Sequence, residues 1–303
     1  MKQMLITGGT VFVSRYAAEY FLQKGWKVFV LNRNSRLQSS GVTLIEGDRH
    51  ALGGKLRSIH FDAVLDITAY TETDILDLLD GLGSYGDYIF ISSSAVYPET
   101  AAQPFSEHTP LGENQWWGRY GTNKIAAENA LLARVPGAYI LRPPYLYGPM
   151  NNAYREAFVF VCAMVDRPFY LPGRGELPLQ FFHIRDLCRF METLLTEHPR
   201  RNIFNVGNPE PVSAKDWVGL CYQAAGKTPE FRFVSPEVEQ RQYFPFHDYG
   251  YMLDVRAQSA LMPDTIPLEE GLREAFTWYR DNSGEVWRKP LLEFIDEKLA
   301  ENS

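Results

Sequence analysis

Residues 3–14 read Gln-Met-Leu-Ile-Thr-Gly-Gly-Thr-Val-Phe-Val-Ser, and the elements around them indicate the fold class. The apolar run Gln3–Thr7 predicts a β-strand, and Phe12, Tyr16 and Tyr20 recur at the spacing of one helix face. A glycine-containing turn between a strand and a helix can receive a pyrophosphate on its backbone N–H groups. A plain strand-to-helix turn explains the same residues equally well.

The first half of the chain alternates short β-branched runs with amphipathic stretches, which is typical of a parallel sheet covered by helices on both faces. A helix is expected over about 114–134. The pattern predicts further strands at Lys27–Asn32, Thr43–Glu46, 63–67, 88–92 and 138–142. We therefore predict an α/β fold.

Beyond Gly148-Pro149 the alternation breaks, and proline and aromatic residues become frequent. Short strands are expected at 180–186 and 203–207, and they are expected to return to the main sheet. The predicted organisation is a first domain over 1–150, to which 179–207 returns, and a substrate lobe formed by 151–178 and 208–303.

The bulk composition restricts the class of protein. The chain has 303 residues, of which 45% are hydrophobic and 22% charged, as in ordinary globular proteins with a sizeable core. A net charge of -7 and a pI near 5.5 disfavour broad contact with nucleic-acid phosphate or anionic lipid. Cys162, Cys188 and Cys221 form no Cys-x-x-Cys pair, which predicts reduced, buried residues. We expect a cytoplasmic protein without membrane contact.

Tyr120-Gly-Thr-Asn-Lys124 places a phenol and an ammonium four residues apart, on one face of a helix. The positive charge beside the phenol favours the phenolate, so Tyr120 is a candidate general acid/base. The preceding strand end, Ile91-Ser-Ser-Ser-Ala-Val-Tyr97, supplies hydroxyl groups. Together these groups suggest hydride-transfer chemistry. The same spacing at Tyr20 and Lys24, which we interpret as ordinary helix, means that spacing alone does not establish a site.

The end of the second strand, Leu31-Asn32-Arg33, bears on cofactor choice. A protein that prefers NAD usually offers Asp or Glu there, whereas Arg33, together with Arg36, can pair with a 2′-phosphate. This slightly favours NADP over NAD, and a solvated loop arginine is nearly as good an explanation. Asp48 is a candidate for the adenine edge or a simple turn aspartate.

With these motifs in order, the sequence resembles the extended and atypical short-chain dehydrogenases/reductases, the group that includes NAD-dependent epimerases and dehydratases of nucleotide sugars. The resemblance covers most of the chain. It implies a Rossmann-type, doubly wound parallel sheet that binds NAD(P), a smaller C-terminal substrate lobe and a possible homodimer. Its motifs are Thr7-Gly-Gly-Thr10, Ser92-Ser-Ser-Ala-Val-Tyr97, Tyr120-x-x-x-Lys124, Leu141-Arg-Pro-Pro-Tyr-Leu-Tyr-Gly-Pro149, Phe182-His-Ile-Arg-Asp186 and Phe204-Asn-Val-Gly207.

The resemblance also implies roles for individual residues. The family's catalytic hydroxyl lies four residues before the tyrosine of its Val-Tyr-Gly motif, and counting back from Tyr97 selects Ser93. Ser93 would bond the substrate oxygen, Tyr120 would pass the proton, and Lys124 would hold the nicotinamide ribose. The expected cofactor-binding residues are Gly8, Gly9, Thr10, Phe12, Val13, Asn32, Arg33, Asp48, Thr68, Ala69, Tyr120, Lys124 and Pro143.

Departures from the family pattern narrow the expected chemistry. Members that eliminate water from sugars carry Asp and Glu directly after the catalytic hydroxyl, where this chain has Ser94 and Ala95. Sugar dehydration is therefore not expected. Val11 and Ser14 stand at the second and third glycine positions of the phosphate-binding turn, and Val11 brings a β-branched side chain near the expected phosphate.

The candidate substrate contacts are less specific. Tyr145 replaces an asparagine that helps hold nucleotide sugars in the family, and Leu179 and Gln180 replace a common Arg-Asp pair, which weakens the nucleotide-sugar interpretation without excluding it. Trp116 and Trp117 are candidates for a pocket wall, with core packing as the alternative. The tentative substrate contacts are Ser94, Trp116, Trp117 and Tyr145. His183 is interpreted as a structural histidine, and the absence of ligand spacing predicts no metal.

The predicted function is that of an NAD(P)-dependent oxidoreductase or epimerase. It would act by hydride transfer at a carbonyl or secondary alcohol, with a sugar or nucleotide sugar as the candidate substrate. The alternative is a non-catalytic, cofactor-sensing or RNA-associated member of the same family. Val11 and Ser14 favour the alternative, whereas the Ser93, Tyr120 and Lys124 set and the acidic pI oppose it.

Overall fold

The computed structural model describes residues 1–300, and these residues form two compact units. The first unit comprises Met1–Pro144, Ile184–Pro209 and Leu253–Thr265, and the second comprises Tyr145–His183, Glu210–Met252 and the residues from Ile266 onward. Residues 145–150 and 179–183, which the sequence assigns to the first domain, fall in the second unit because their strands pair with each other.

Strands and helices alternate through the first unit and become shorter in the second. In chain order the strands are β1 (Gln3–Thr7), β2 (Lys27–Asn32), β3 (Thr43–Glu46), β4 (Leu56–Asp66), β5 (Leu82–Ile91), β6 (Tyr139–Arg142), β7 (Tyr145–Tyr147), β8 (Phe169–Pro172), β9 (Pro178–Leu179), β10 (Phe181–His183), β11 (Ile203–Asn205), β12 (Val212–Ser213) and β13 (Phe231–Val234). The α-helices are α1 (Phe12–Gln23), α2 (Glu72–Gly81), α3 (Arg119–Arg134), α4 (Glu156–Met164), α5 (Ile184–Glu197), α6 (Ala214–Ala224), α7 (Arg256–Leu261), α8 (Leu268–Asn282) and α9 (Leu291–Phe294).

The first unit is built on a seven-stranded sheet in the order β11-β6-β5-β4-β1-β2-β3, and every pairing in it is parallel. This is a Rossmann-like α/β sheet, so the predicted fold class is confirmed. The strand order reverses at β1, which pairs with β2 on one side and β4 on the other. In open α/β sheets ligands bind outside the carboxyl ends of the strands at such a switch point.

Strand boundaries differ from the sequence prediction where polar residues lie in the sheet. β1, β2 and β3 have the predicted bounds, but β4 begins at Leu56 rather than 63, and β5 begins at Leu82 rather than 88. The added segments pair with each other, with a register shift between Leu56 and His60. Their charged and exposed residues hide the strand from a prediction based on apolar runs.

Helix α1 packs through smaller residues than the predicted stripe. Ala17, Ala18 and Phe21 are buried, whereas Tyr16 and Tyr20 are only half-buried. The Tyr20 hydroxyl donates to the Glu192 carboxylate of α5 at 2.5 Å, and Lys24 Nζ lies 2.9 Å from that carboxylate. The second Tyr-x-x-x-Lys pair therefore links α1 to α5, which agrees with its interpretation as ordinary helix.

Helix α3 begins at Arg119, five residues later than predicted. The Asn114 side chain donates to the Tyr97 carbonyl and accepts from the Trp116 N–H, so the preceding residues form a turn. Gly118, with a φ of 50°, directly precedes the helix. A backbone in the left-handed region cannot continue a helix, which explains the later start.

A glycine on α3 allows this helix to approach the loop after β5 closely. A Cβ added at Gly121 would lie 2.3 Å from the Ala95 carbonyl oxygen, which is far inside van der Waals contact. Tyr120 is the neighbouring residue, and Ser93 lies two residues before Ala95. The close approach therefore sets how near these two candidate groups come.

We expect Gly121→Ala to lower the free energy of unfolding by about 1–3 kcal/mol, because the added methyl group displaces the backbone at Ala95. Gly219→Ala is the matched control, since Gly219 is also helical and an added Cβ there meets no heavy atom within 4 Å. That control should gain about 0.5–1 kcal/mol. Denaturant unfolding of both variants tests the contact, and equal behaviour would contradict it.

The described residues of the second unit, up to residue 300, contain three two-stranded sheets and the helices α4, α6, α8 and α9. β10 is shorter than the predicted strand, since α5 begins at Ile184, and it pairs with β7 rather than returning to the main sheet. The prediction that residues 180–186 join the main sheet is therefore wrong. β11 does join it, beside β6, as predicted.

The remaining sequence expectations concern cysteines, membranes and metals. Cys162, Cys188 and Cys221 are buried and form no disulfide, as expected. Across residues 1–300, no helix combines the length and apolar character needed to cross a membrane. In the same part of the chain, no three His, Cys, Asp or Glu side chains are grouped so that they could hold a metal ion.

Candidate functional site

The turn after β1 has the backbone that its two glycines allow. Gly8 and Gly9 have φ values of 91° and 95°. A Cβ at Gly8 would lie 2.8 Å from the Ser14 Oγ, and one at Gly9 would lie 2.5 Å from a Val30 methyl carbon. Both positions therefore require glycine on conformational and steric grounds. Ser14 is buried against Gly8 and donates to the Val11 carbonyl, so the departure at Ser14 is accommodated within the turn.

The N-terminus of α1 fits an anionic group. Its N-cap residue is Val11, and no side chain caps the first turn. The first N–H groups of a helix have no partners within the helix, and the helix dipole places positive potential there. This turn lies at the end of β1, where the strand order reverses, so its donors suit the phosphates of a dinucleotide.

At the end of β2, the Asn32 side chain has a structural role, whereas Arg33 is exposed. Asn32 donates from its amide to the Gly8 carbonyl at 2.7 Å, and its Oδ1 accepts from the Asn34 N–H. The Asn32 side chain therefore holds the glycine turn. Arg33 is exposed to solvent. Asp48 accepts from the His50 N–H and caps a short 3-10 turn, which is the structural alternative considered for it.

A buried carboxylate connects β1, β4 and the loop that follows β4. Asp66 accepts from the Thr7 hydroxyl at 2.8 Å, from the Tyr88 hydroxyl at 2.8 Å and from the Arg49 guanidinium at 2.8 Å. Arg49 also donates to the Thr68 hydroxyl at 3.0 Å. The buried Asp66 carboxylate is thus hydrogen-bonded to three donors, and hydrogen-bond networks of this kind are rigid. Through Arg49 the network fixes the position of Thr68, which is an expected cofactor contact.

The Tyr120 and Lys124 side chains occupy different environments on one helix face. The Tyr120 side chain is 41% exposed, whereas Lys124 is 2% exposed. Lys124 Nζ donates to the Ala69 carbonyl at 2.7 Å and to the Ile91 carbonyl at 2.9 Å. It lies 5.9 Å from the centroid of the Tyr120 ring. The structure thus brings the lysine beside the tyrosine and beside Ala69, another expected cofactor contact.

Burial lowers the pKa of Lys124 to about 8, against the opposing effect of Asp66, Glu128 and Asp74. The lysine is therefore close to the point of losing its charge at a mildly alkaline pH. While it is charged, a lysine of this kind favours the phenolate form of a neighbouring tyrosine. Its lowered pKa also means that it can lose that charge within a modest rise in pH.

The serine-rich loop begins directly after β5. Ser93 is half-buried, and its Oγ accepts from the Ala95 N–H at 3.2 Å. Ser94 is buried, and its N–H donates to the carbonyl of Pro143 at 3.0 Å. Ser92 is also buried, and its hydroxyl donates to Glu128. The loop is therefore attached to Pro143 and to Glu128, and Ser93 is its half-buried member.

A buried ion pair lies beneath the loop. Arg142 at the end of β6 donates to both carboxylate oxygens of Glu128 on α3, at 2.9 and 2.5 Å. Its third nitrogen donates to the Tyr97 hydroxyl at 2.9 Å, and this hydroxyl donates to Asn205. The partners keep Arg142 charged, since Glu128 raises its pKa against the opposing effect of burial.

Of the candidate substrate contacts, Trp116 and Trp117 belong to the first unit and Tyr145 to the second. Trp116 and Trp117 are half-buried in the turn before α3. Tyr145 is buried in the second unit, with its ring 4.7 Å from Phe246 and 5.8 Å from Tyr251. Burial raises the pKa of Tyr145 to about 12. These surroundings are those of a packed aromatic residue.

Several residues that organise the site are missing from the sequence prediction. Glu128 follows Lys124 by four residues, so helical periodicity extended by one turn would have found it on the same face. Arg142 was predicted only as part of a motif. Asp66 ends an apolar strand, and a carboxylate at such a position is itself an indication that the residue has a role. Its partner Arg49, however, lies seventeen residues away along the chain. No local pattern indicates that pairing.

The fold and the site together describe a Rossmann-like α/β protein with a glycine turn at the switch point of its sheet. The profile described as "NAD dependent epimerase/dehydratase family" matches residues 4–207, about two thirds of the chain. The chain belongs to the NAD-dependent epimerase/dehydratase family.

Three of the individual proteins to which the chain is similar share 25% identity or less with it. The chain is 25% identical over 300 residues to the chloroplast stem-loop binding protein of 41 kDa b of Arabidopsis thaliana, covering 91% of this chain and 78% of that protein. It resembles a dTDP-glucose 4,6-dehydratase from Bacillus anthracis solved with NAD, with a TM-score of 0.75 and 19% identity, covering 96% of this chain and 100% of that one. A UDP-glucose 4-epimerase from Thermotoga maritima solved with UDP-glucose gives a TM-score of 0.75 and 19% identity, covering 93% and 99%.

Proposed function

We propose that the protein is an NAD(P)-dependent oxidoreductase or epimerase that transfers hydride at a carbonyl or secondary alcohol of a sugar or nucleotide sugar. The observation that carries this proposal is the group of Tyr120 and Lys124 on one face of α3, beside the loop that holds Ser93. An exposed phenol beside a buried ammonium suits proton transfer at an alcohol, because the phenol is accessible and a nearby positive charge favours its phenolate.

The residues at the switch point fit a dinucleotide. The N–H groups at the start of α1 would bind its phosphates, with Gly8 and Gly9 allowing the backbone to approach. Thr68 and Ala69, in the loop that follows β4, would lie along its nicotinamide half. When bound, the nicotinamide supplies the acceptor or donor of the hydride.

The chain's own residues would handle the proton. Tyr120 would exchange it with the reacting oxygen, and the Ser93 hydroxyl would hydrogen-bond that oxygen as charge develops on it. Lys124, anchored by the Ala69 and Ile91 carbonyls, would keep positive charge next to the phenol and offer its remaining N–H to the nicotinamide ribose. Ser94 and Ala95 supply no acid or base, which supports hydride transfer without sugar dehydration.

Tyr120→Phe should lower turnover by about 10²–10⁴-fold, because the ring remains but the proton donor is lost. Cofactor affinity should change little. A panel of UDP- and dTDP-hexoses serves as probes. Net oxidation or reduction is measured through the absorbance of reduced nicotinamide, and epimerisation, which returns the cofactor to its starting state, by chromatographic separation of the sugar epimers. Affinity is measured by titration of the cofactor's fluorescence.

Tyr20→Phe is the matched control for that variant, because Tyr20 also stands four residues before a lysine but contacts Glu192 on α5. It should keep full turnover. Retained turnover in Tyr120→Phe would overturn the assignment of the proton donor, and failure of the wild-type protein to bind either nicotinamide nucleotide would overturn the proposed function.

NADP is slightly favoured over NAD in this proposal, because Arg33 is an exposed cation directly after β2. Arg33→Ala should weaken NADPH binding by about tenfold and leave NADH binding unchanged, since only NADPH carries the 2′-phosphate. Arg57→Ala, at an exposed arginine of β4, is the control for lost charge. Equal affinity for NADPH before and after the Arg33 change would remove the preference.

The alternative function is a non-catalytic, RNA-associated role. The name of the stem-loop binding relative supports it, as do Val11 and Ser14 in the glycine turn. Filter binding of a stem-loop RNA across a range of salt concentrations separates the two functions. Affinity that falls steeply with salt would favour the RNA role, and its absence at moderate salt would exclude it. The net charge of -7 leads us to expect no binding.

The cytoplasmic location and the homodimer stay predictions. The name of the Arabidopsis thaliana relative places that protein in the chloroplast. Fractionation and light scattering measure the compartment and the oligomeric state of this chain directly.

A further inference from the structure

A second tyrosine lies against Lys124, and it comes from the loop after β4 rather than from α3. Tyr70 follows Ala69 directly, and its ring centroid is 4.9 Å from Lys124 Nζ, which is closer than the 5.9 Å of Tyr120. The two tyrosine rings are 6.2 Å apart and tilted by 52°. At this distance the ring face attracts a cation.

The Tyr70 ring is exposed although its backbone is fixed. The residue is 53% exposed, one of the more exposed large apolar side chains of the described chain. Its N–H donates to the Asp74 carboxylate at 2.9 Å, within the capping box that begins α2. The helix cap therefore holds the backbone from which the ring extends beside Lys124.

Among the described residues, three aromatic rings lie around the Lys124 ammonium. Phe90, at 4.8 Å from Nζ, is fully buried, and the Ala69 and Ile91 carbonyls occupy two of the three N–H groups. Of the rings around the ammonium, Tyr70 and Tyr120 are those that reach solvent. They therefore stand between the lysine, which is 2% exposed, and bulk water.

We propose that Tyr70 is a positioning residue of the candidate site: its ring covers Lys124, excludes water from the ammonium and so sets the charge that Lys124 presents to Tyr120. The consequence for catalysis rests on the proposed function, but the effect on Lys124 does not. Tyr70 touches no reacting atom and acts through the lysine.

The effect of the Tyr70 ring on Lys124 can be separated from the effect of the charged groups around it. Asp66 from β4, Glu128 from α3 and Asp74 from α2 each favour the charged lysine, and Arg49 opposes it. Burial nevertheless outweighs the three carboxylates and lowers the pKa of Lys124 to about 8. If the ring over Nζ is removed, water reaches the ammonium while all four charges remain. The attraction between the ring face and the cation is also lost, but the regained hydration is the larger effect, because burial is the first cause of the lowered pKa. The ammonium should then hold its proton to higher pH.

The test is a pH titration of lysine ¹³Cε and ¹⁵Nζ resonances by NMR in the full-length protein without added cofactor. Lys124→Met identifies the Lys124 signal by its loss. Wild type, Tyr70→Phe and Tyr70→Ala are compared, and the exposed lysines in the same spectra serve as internal controls. Both variants keep the backbone N–H that Asp74 accepts, so the cap of α2 is preserved.

We expect Tyr70→Phe to titrate like wild type, because its ring still covers Nζ. Tyr70→Ala should bind the Lys124 proton at least about tenfold more tightly, which is one pKa unit upward. An unchanged titration in Tyr70→Ala overturns the inference, and so does a shift as large in Tyr70→Phe as in Tyr70→Ala.

The same variants separate this inference from the proposed function. If the protein turns over a substrate, the alkaline limb of its pH–rate profile should move to higher pH in Tyr70→Ala and return in Tyr70→Phe. A lysine shift in a protein that binds no nicotinamide nucleotide would leave the role of Tyr70 standing and overturn the proposed function alone.

Discussion

The buried ion pair of Glu128 and Arg142 is the interaction on which the arrangement of the first unit's site depends. It joins α3 to β6, and through the Ser92 hydroxyl it also holds the end of β5. Breaking a buried pair by removing one partner costs about 3–5 kcal/mol, because the other charge is left without compensation. Two bonds from one guanidinium also fix direction, so the helix can neither rotate nor slide relative to the strand ends.

One face of α3 carries three ionisable groups at successive turns, and burial differs among them. Tyr120 reaches solvent, while Lys124 and Glu128 are enclosed. The enclosed groups are held by fixed partners: two backbone carbonyls for the lysine and an arginine for the glutamate. Of the three groups, the Tyr120 phenol is therefore the one accessible to solvent, and the two charges beneath it are held in place.

The sequence was sufficient for the fold class because strand and helix periods are local. β1, β2 and β3 follow from short apolar runs, and the glycine turn follows from its position between β1 and α1. The long β4 and β5 could not be recognised, since their outer halves carry charges and gain stability from each other. The pairing of β10 with β7, instead of the main sheet, depends on tertiary contacts that no residue pattern specifies.

The same distinction between local patterns and tertiary contacts applies to the site. The Tyr120 and Lys124 spacing was readable because i and i+4 residues share a helix face, whereas Asp66, Arg49 and Arg142 become neighbours only when the sheet brings distant strand ends together.

The bond from the Asn32 amide to the Gly8 carbonyl bears on how cofactor preference can be redesigned. An acidic residue at the end of the second strand is the usual means of selecting NAD, and Asn32→Asp would be the obvious substitution. In this chain Asn32→Asp would replace the amide donor by a carboxylate oxygen. Two hydrogen-bond acceptors, the carboxylate and the Gly8 carbonyl, would then face each other. Any change of cofactor preference made at Asn32 would therefore also alter the shape of the glycine turn, because one side chain serves both positions.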